Sequence, residues 1–176
     1  MIPRLARTTA RWIKGAAPDH PVSIDVLVFS LQAIINVVSI VIVTIAISLI
    51  TGKIEEAIMA LIAFGALRQV SGGLHLKSGD LCVLVSVIGI TLISFSNFNS
   101  AVIYIVTSIS LCLAALFAPS RIENQTRIPE RYFPALKIIS LLIIGSNFFI
   151  QSPILAVAWF VQGLTLIKPL GAGNLK

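Results

Sequence analysis

The stretch Ser23–Ile50 reads SIDVLVFSLQAIINVVSIVIVTIAISLI, and its one charged residue, Asp25, lies near its start. A helix needs about 20 consecutive apolar residues to cross the hydrocarbon core of a bilayer, and this run is longer. It also exceeds the apolar part of a signal peptide, and no small-residue cleavage site follows it. The stretch therefore predicts a retained transmembrane helix that is tilted, or whose first turns lie outside the core.

The rest of the chain is equally apolar. Of its 176 residues, 57% are hydrophobic and 11% are charged, whereas soluble domains carry about 25% charged residues. We therefore expect an all-α, polytopic membrane protein in which residues 1–176 form a single domain. About six transmembrane helices are predicted, at 23–50, 54–70, 81–95, 101–118, 135–150 and 154–167. Gln32 and Asn36 share a face of the first helix, and we expect that face to look into the bundle, where an amide can find a partner.

The segment 1–20 carries four basic residues and precedes the first predicted span. It predicts a short amphipathic helix at the cytoplasmic membrane interface, with its basic side chains among the lipid headgroups. The apolar side of that helix is predicted to consist of Leu5, Ala6, Trp12 and Ile13.

Lys and Arg residues are distributed asymmetrically between alternate connecting segments. All but one of the 13, Lys53, fall in segments that six spans would place on the same side as the N-terminus. Because basic residues stay on the cytoplasmic side, both termini and the loop after the second span are predicted to be cytoplasmic. The net charge of +6 is explained by this topology and by anionic lipid. Nucleic-acid binding is not expected, because no basic stripe is interleaved with aromatic residues.

The two cysteines, Cys82 and Cys112, are predicted to be free thiols, since two cysteines are few for a disulfide framework. Cys112 lies within an apolar run and is interpreted as a core residue. Too few ligands are available for a tetrahedral zinc site, and neither a metal nor a cofactor is expected.

The segment Leu67–Cys82, LRQVSGGLHLKSGDLC, concentrates the reactive groups of the chain. A cysteine attacks as a thiolate, and a neighbouring histidine is the usual base. On a continuous helix His75 and Cys82 would lie about 10 Å apart, so the chain must bend back between them. The tripeptide Ser78-Gly79-Asp80 offers a glycine between two good N-cap residues.

A helix that begins near Asp80 would place Cys82 in its first turn. The helix dipole there would favour the thiolate, and free N–H groups could hold an oxyanion. The pair Gly72-Gly73 would let the preceding loop approach closely. Asp80 would either orient His75 or only cap the helix, and Arg68 would either reach lipid headgroups or bind a substrate carboxylate.

Other interpretations of these residues remain open at this point. A cysteine at a helix start can be a packing residue, and a loop histidine can simply be solvated. The chain could also be a small transporter or channel subunit, with Gln32 and Asn36 along a path. A third possibility is a noncatalytic scaffold that recruits a partner through Pro119–Pro134.

Two motifs resemble the AgrB family of bacterial membrane peptidases. The first motif lies between the second and third apolar runs and consists of Arg68, Gly73, His75, Ser78 and Cys82. The second is the stretch FAPSRIENQ at 117–125, where the family has a related Ala-Pro-Ala-Asp sequence. Ser and Arg here replace the common Ala and Asp.

The resemblance implies a membrane cysteine endopeptidase of the bacterial cell membrane that cleaves a short AgrD-like propeptide. His75 would be the base and Cys82 the nucleophile. A thioester acyl-enzyme would then be attacked by a residue of the substrate, which closes the ring of a quorum-sensing peptide. Family members are expected to form homodimers. The basic loop with Arg121, Arg127 and Arg131 could hold an acidic end of the propeptide, or it could serve only topology and lipid contact.

Overall fold

The structure is a computed structural model that describes residues 1–19, 21–74, 78–120 and 129–167. Within these ranges the regular elements are helices, and an isolated bridge pairs Gly72 with Ser120. The helices are α1 Ile2–Ala16, α2 Ile24–Thr51, α3 Ile54–Ser71, α4 Gly79–Ser94, α5 Ser100–Phe117, α6 Phe133–Gly145, α7 Asn147–Ile150 and α8 Pro153–Leu166, with a 3₁₀ turn at Glu130–Tyr132 before α6. The all-α prediction is confirmed.

Several helix ends are specified by local sequence. The helices α2, α5 and α8 begin after polar residues whose side-chain oxygens accept a backbone N–H three residues further on, namely Ser23, Asn99 and Ser152. Such caps satisfy N–H groups that the first turn of a helix leaves free. Helix α2 ends at Thr51 and is capped by Gly52, whose φ of 68° is readily adopted by glycine.

The chain forms two compact units, of which the first contains α1, α2 and α4 as far as Thr91. Helix α1 buries Ile2, Ala6 and Ala10 and packs against α2. The small alanines allow close approach of the two helices. Leu5 and Trp12, predicted on the same apolar side as Ala6, remain largely exposed. The predicted helix is therefore present, but only part of its apolar side is buried in the fold.

The second unit contains Lys53–Leu74 and the chain from Leu92 onward. Helix α8 is buried over much of its surface and packs against α3 and α5. Trp159 of α8 donates its Nε1–H to the Ala63 carbonyl of α3 over 3.3 Å. Ser146 separates α6 from the short α7. The first residue of α7, the buried Asn147, donates to Thr107 over 3.1 Å. The apolar run 135–150 therefore forms two helical pieces.

Large apolar side chains lie on the outside of this fold. Ile50 is 87% exposed and Phe149 is 89% exposed, an arrangement that water disfavours and hydrocarbon does not. Three helical stretches are long and apolar enough to cross a membrane: Ile24–Thr51, Ser100–Phe117 and Glu130–Ile150. The chain is thus an all-α membrane protein. Six spans and cytoplasmic termini stay predictions.

Candidate active site

Cys82 lies at the beginning of α4, on a helix start that is built by Ser78. The Ser78 side-chain oxygen accepts the Leu81 N–H over 3.4 Å, and its carbonyl accepts the Cys82 N–H over 3.0 Å. The helix begins at Gly79, one residue earlier than the predicted start near Asp80. Cys82 is a half-buried free thiol, and its own N–H is already used. The N–H groups of Gly79 and Asp80 therefore remain as the candidate oxyanion donors at this helix start.

Asp80 binds the start of α1, and Ser78 occupies the N-cap position of α4. The Asp80 carboxylate accepts the N-terminal amine of Met1 over 2.7 Å and the Ile2 N–H over 3.1 Å. The bond from the amine, followed by that from Ile2, lowers the pKa of Asp80. Because a lowered pKa reflects a stabilised carboxylate, this contact is present at neutral pH and is lost as the pH falls through the folded-state pKa.

The four residues Ser71–Leu74 lead directly into His75 and are held from several sides. The backbone of Ser120 donates to Ser71 and accepts from Gly73, each over 2.9 Å. The Leu74 N–H donates to the Thr165 carbonyl over 2.9 Å. These bonds come from the end of α5 and the end of α8. They fix the backbone at the residues that precede the predicted base.

Arg68 contributes to the same anchoring from α3. Its Nη2 donates to the Leu74 carbonyl over 2.7 Å, and its guanidinium carbon lies 6.0 Å from the centroid of the Phe64 ring. Both contacts place Arg68 against residues of its own unit. Arg68 therefore binds the backbone at Leu74, a contact that neither sequence interpretation anticipated.

Gly73 occupies a backbone conformation that requires glycine. Its φ is 123°, which L side chains rarely adopt. A Cβ built on Gly73 would lie 2.5 Å from the Thr165 hydroxyl oxygen and 3.2 Å from the Gln162 side-chain nitrogen. Gly72, with a φ of 72°, makes the preceding turn. The close approach expected of this glycine pair is observed, with α8 as the partner.

Gln162 is the central residue of this anchor and was missed in the sequence. It is fully buried on α8, and its Nε2 donates to the Gly72 carbonyl over 2.7 Å and to the Ser71 hydroxyl over 3.1 Å. A lone amide in the apolar run 154–167 was the available signal, since polar groups within a membrane helix require a partner. Which partner it meets depends on the packing of α3 against α8.

Replacing Gln162 with leucine is expected to lower the unfolding temperature, because the buried Gly72 carbonyl loses its donor at a cost of about 1–3 kcal/mol. Thermal unfolding of the purified protein in detergent measures the effect. The matched control is Gln69→Leu, since Gln69 is exposed on α3 and should change stability little. Equal unfolding temperatures for the two variants would show that the Gln162 bonds do not stabilise the anchor.

The remaining predicted site residues are separate from these contacts or lie outside the described residues. His75, Arg121 and Arg127 lie outside them, and so does the predicted His75–Cys82 pairing. Arg131 is exposed on the 3₁₀ turn, with its guanidinium carbon 4.8 Å from the centroid of the Tyr132 ring. Cys112 is exposed on α5, so its interpretation as a core residue was wrong. When every face of a helix is apolar, the spacing of apolar residues does not indicate which face is buried, so the burial of Cys112 could not be predicted.

The sequence of this chain matches a known protein family. Residues 6–167 match the family model described as accessory gene regulator B. A protein of Halalkalibacterium halodurans, named AgrB-like protein, is 30% identical over 167 residues, which cover 94% of this chain and 82% of that protein. No solved structure matches the chain significantly. The chain therefore belongs to the accessory gene regulator B (AgrB) family of membrane proteins, and its role lies in the accessory gene regulator system.

Proposed function

We propose that this protein is a membrane cysteine endopeptidase that cleaves an AgrD-like propeptide and promotes its cyclisation to a quorum-sensing peptide. The main supporting observation is the half-buried free thiol of Cys82 at the Ser78-capped start of α4. It occurs in a chain that matches the family over residues 6–167. A cysteine at a helix start lies next to backbone N–H groups that the first turn leaves free, and these can stabilise an oxyanion.

In the first step, His75 takes the thiol proton and the Cys82 sulfur attacks the scissile carbonyl carbon. The peptide bond breaks, the C-terminal part leaves as an amine that receives the proton from His75, and Cys82 keeps the N-terminal part as a thioester. The free N–H groups of Gly79 and Asp80 would stabilise the oxyanion that forms on the way. The anchored residues Ser71–Leu74 directly precede His75 in the chain, and their backbone is fixed by hydrogen bonds.

In the second step, a thiol or hydroxyl of the bound peptide attacks the thioester carbonyl. His75, neutral after the first step, takes the proton of the attacking group. The new bond closes the ring as a thiolactone or lactone, and the C–S bond to Cys82 breaks. Cys82 leaves as a thiolate that can regain the proton from His75. Exchange of one thioester for another is nearly isoenergetic, whereas hydrolysis would waste the acyl group. A site at the membrane edge that excludes water and holds the peptide ends together favours cyclisation.

The membrane arrangement belongs to the same proposal. Six spans would put both termini and the active site at the cytoplasmic face, where an amphipathic propeptide can be delivered from the bilayer surface. The basic residues Arg121, Arg127 and Arg131 would pair with an acidic end of the propeptide. Two copies of the chain would form a homodimer.

Co-expression with an acid-tailed propeptide that contains a cysteine tests the proposed function. The wild-type protein should release the C-terminal fragment and carry a peptide adduct that neutral hydroxylamine removes, both detected by mass spectrometry. His75→Ala should slow fragment release by about 10²- to 10⁴-fold, because a general base is lost. An uncut propeptide beside folded wild-type protein, or unimpaired release by His75→Ala, would contradict the proposal.

A further inference from the structure

Asn36 carries a buried hydrogen-bonding group that the fold does not satisfy. The residue lies in the middle of α2 and is 7% exposed, and its Oδ1 has no hydrogen-bond partner among the residues that the structure describes. Most buried polar side-chain atoms are hydrogen-bonded, because an unpaired one destabilises the fold. A buried polar atom without a partner that lies beside a candidate active site is therefore a candidate for binding a ligand.

The Asn36 carboxamide lies against the first residue of α4. A Cβ built on Gly79 would lie 3.0 Å from the Asn36 Oδ1 and 3.3 Å from its Nδ2, so the missing side chain of Gly79 is what allows this approach. Gly79 and Cys82 are three residues apart on α4 and therefore share a face of that helix. The unpaired amide oxygen is thus next to the helix start that carries the candidate nucleophile.

We infer that the Asn36 Oδ1 accepts a hydrogen bond from a backbone N–H of the bound propeptide, close to the bond that is cut. An extended peptide presents carbonyl oxygens and N–H groups alternately. The start of α4 offers N–H donors at Gly79 and Asp80, and Asn36 adds the complementary acceptor. Asn36 is thereby a substrate-binding residue of the site in the proposed function, on which the inference rests.

Peptide affinity and stability are compared in two matched variants. Asn36→Leu removes the acceptor while keeping the approximate side-chain volume. Thr44→Val is the control, since the buried Thr44 hydroxyl oxygen, two turns further along α2, also lacks a partner. Both replacements exchange an unpaired buried polar group for an apolar one, so neither should lower the unfolding temperature. Asn36→Leu alone should weaken binding of a fluorescent propeptide to the Cys82→Ala protein by about 10- to 100-fold.

In proteins that retain Cys82, the same Asn36→Leu replacement should lower kcat/KM for fragment release by a similar factor. Unchanged affinity and unchanged kcat/KM would overturn the inference while leaving the peptidase function intact. A shifted pH profile with unchanged affinity would also overturn it, because Asn36 would then act through His75. If the wild-type protein binds the peptide through Asn36 and does not cut it, the inference stands and the peptidase proposal fails.

Discussion

Replacing Cys82 with alanine is expected to reduce release of the C-terminal fragment by more than about 10³-fold. The replacement removes the proposed nucleophile, and α4 contains no second cysteine that could take its place. No hydroxylamine-sensitive adduct should form. The substitution removes one sulfur atom from a half-buried position, so the unfolding temperature should change little. Fragment release and intact mass are measured after co-expression with the propeptide, on protein that elutes as a single folded species.

The chain provides its own control for this experiment. Cys112 is the second free thiol, and it is exposed on α5, a helix that carries none of the proposed site residues. Cys112→Ala should therefore process the propeptide at the wild-type rate. Persistent cleavage by Cys82→Ala, or loss of cleavage in Cys112→Ala, would remove Cys82 from its assigned role as nucleophile.

Gly73→Ala is expected to destabilise the protein by about 2–5 kcal/mol and to impair processing with it. The φ of 123° is strained for any residue with a Cβ, and the added methyl group would overpack the site. The hydroxyl of Thr165, 2.5 Å from the new Cβ, already donates to the Gln162 carbonyl over 2.7 Å. It therefore cannot move away from the methyl group without losing that hydrogen bond.

Gly65→Ala is the matched control for Gly73→Ala. Gly65 lies within α3, and a Cβ built there meets nothing within 4 Å. Alanine at a helix interior position costs less backbone entropy than glycine, so this variant should gain about 0.5–1 kcal/mol. Unfolding temperature in detergent and fragment release are compared for both. A Gly73→Ala protein as stable and active as Gly65→Ala would show that the anchor tolerates a side chain.

The candidate site was partly predictable because some of its features are local in sequence. The helix start before Cys82 follows from Ser78 and Gly79, since a small polar cap and a glycine are local preferences. The close approach of the chain at Gly72 and Gly73 was also predicted, from the position of this glycine pair before His75. The role of Arg68 could not be predicted, because its partner is a carbonyl that becomes available only when the chain turns at these glycines.

The sequence by itself determined that this chain is an all-α membrane protein. Long apolar runs must satisfy their backbone polar groups internally, and the helix does so without any tertiary partner. Only the tertiary structure decided which polar groups meet. Gln162 holds Gly72, Asn36 lies against Gly79, and Asp80 binds the start of α1. These pairings join residues far apart in the chain, and in uniformly apolar helices no periodic pattern specifies which faces will pack together.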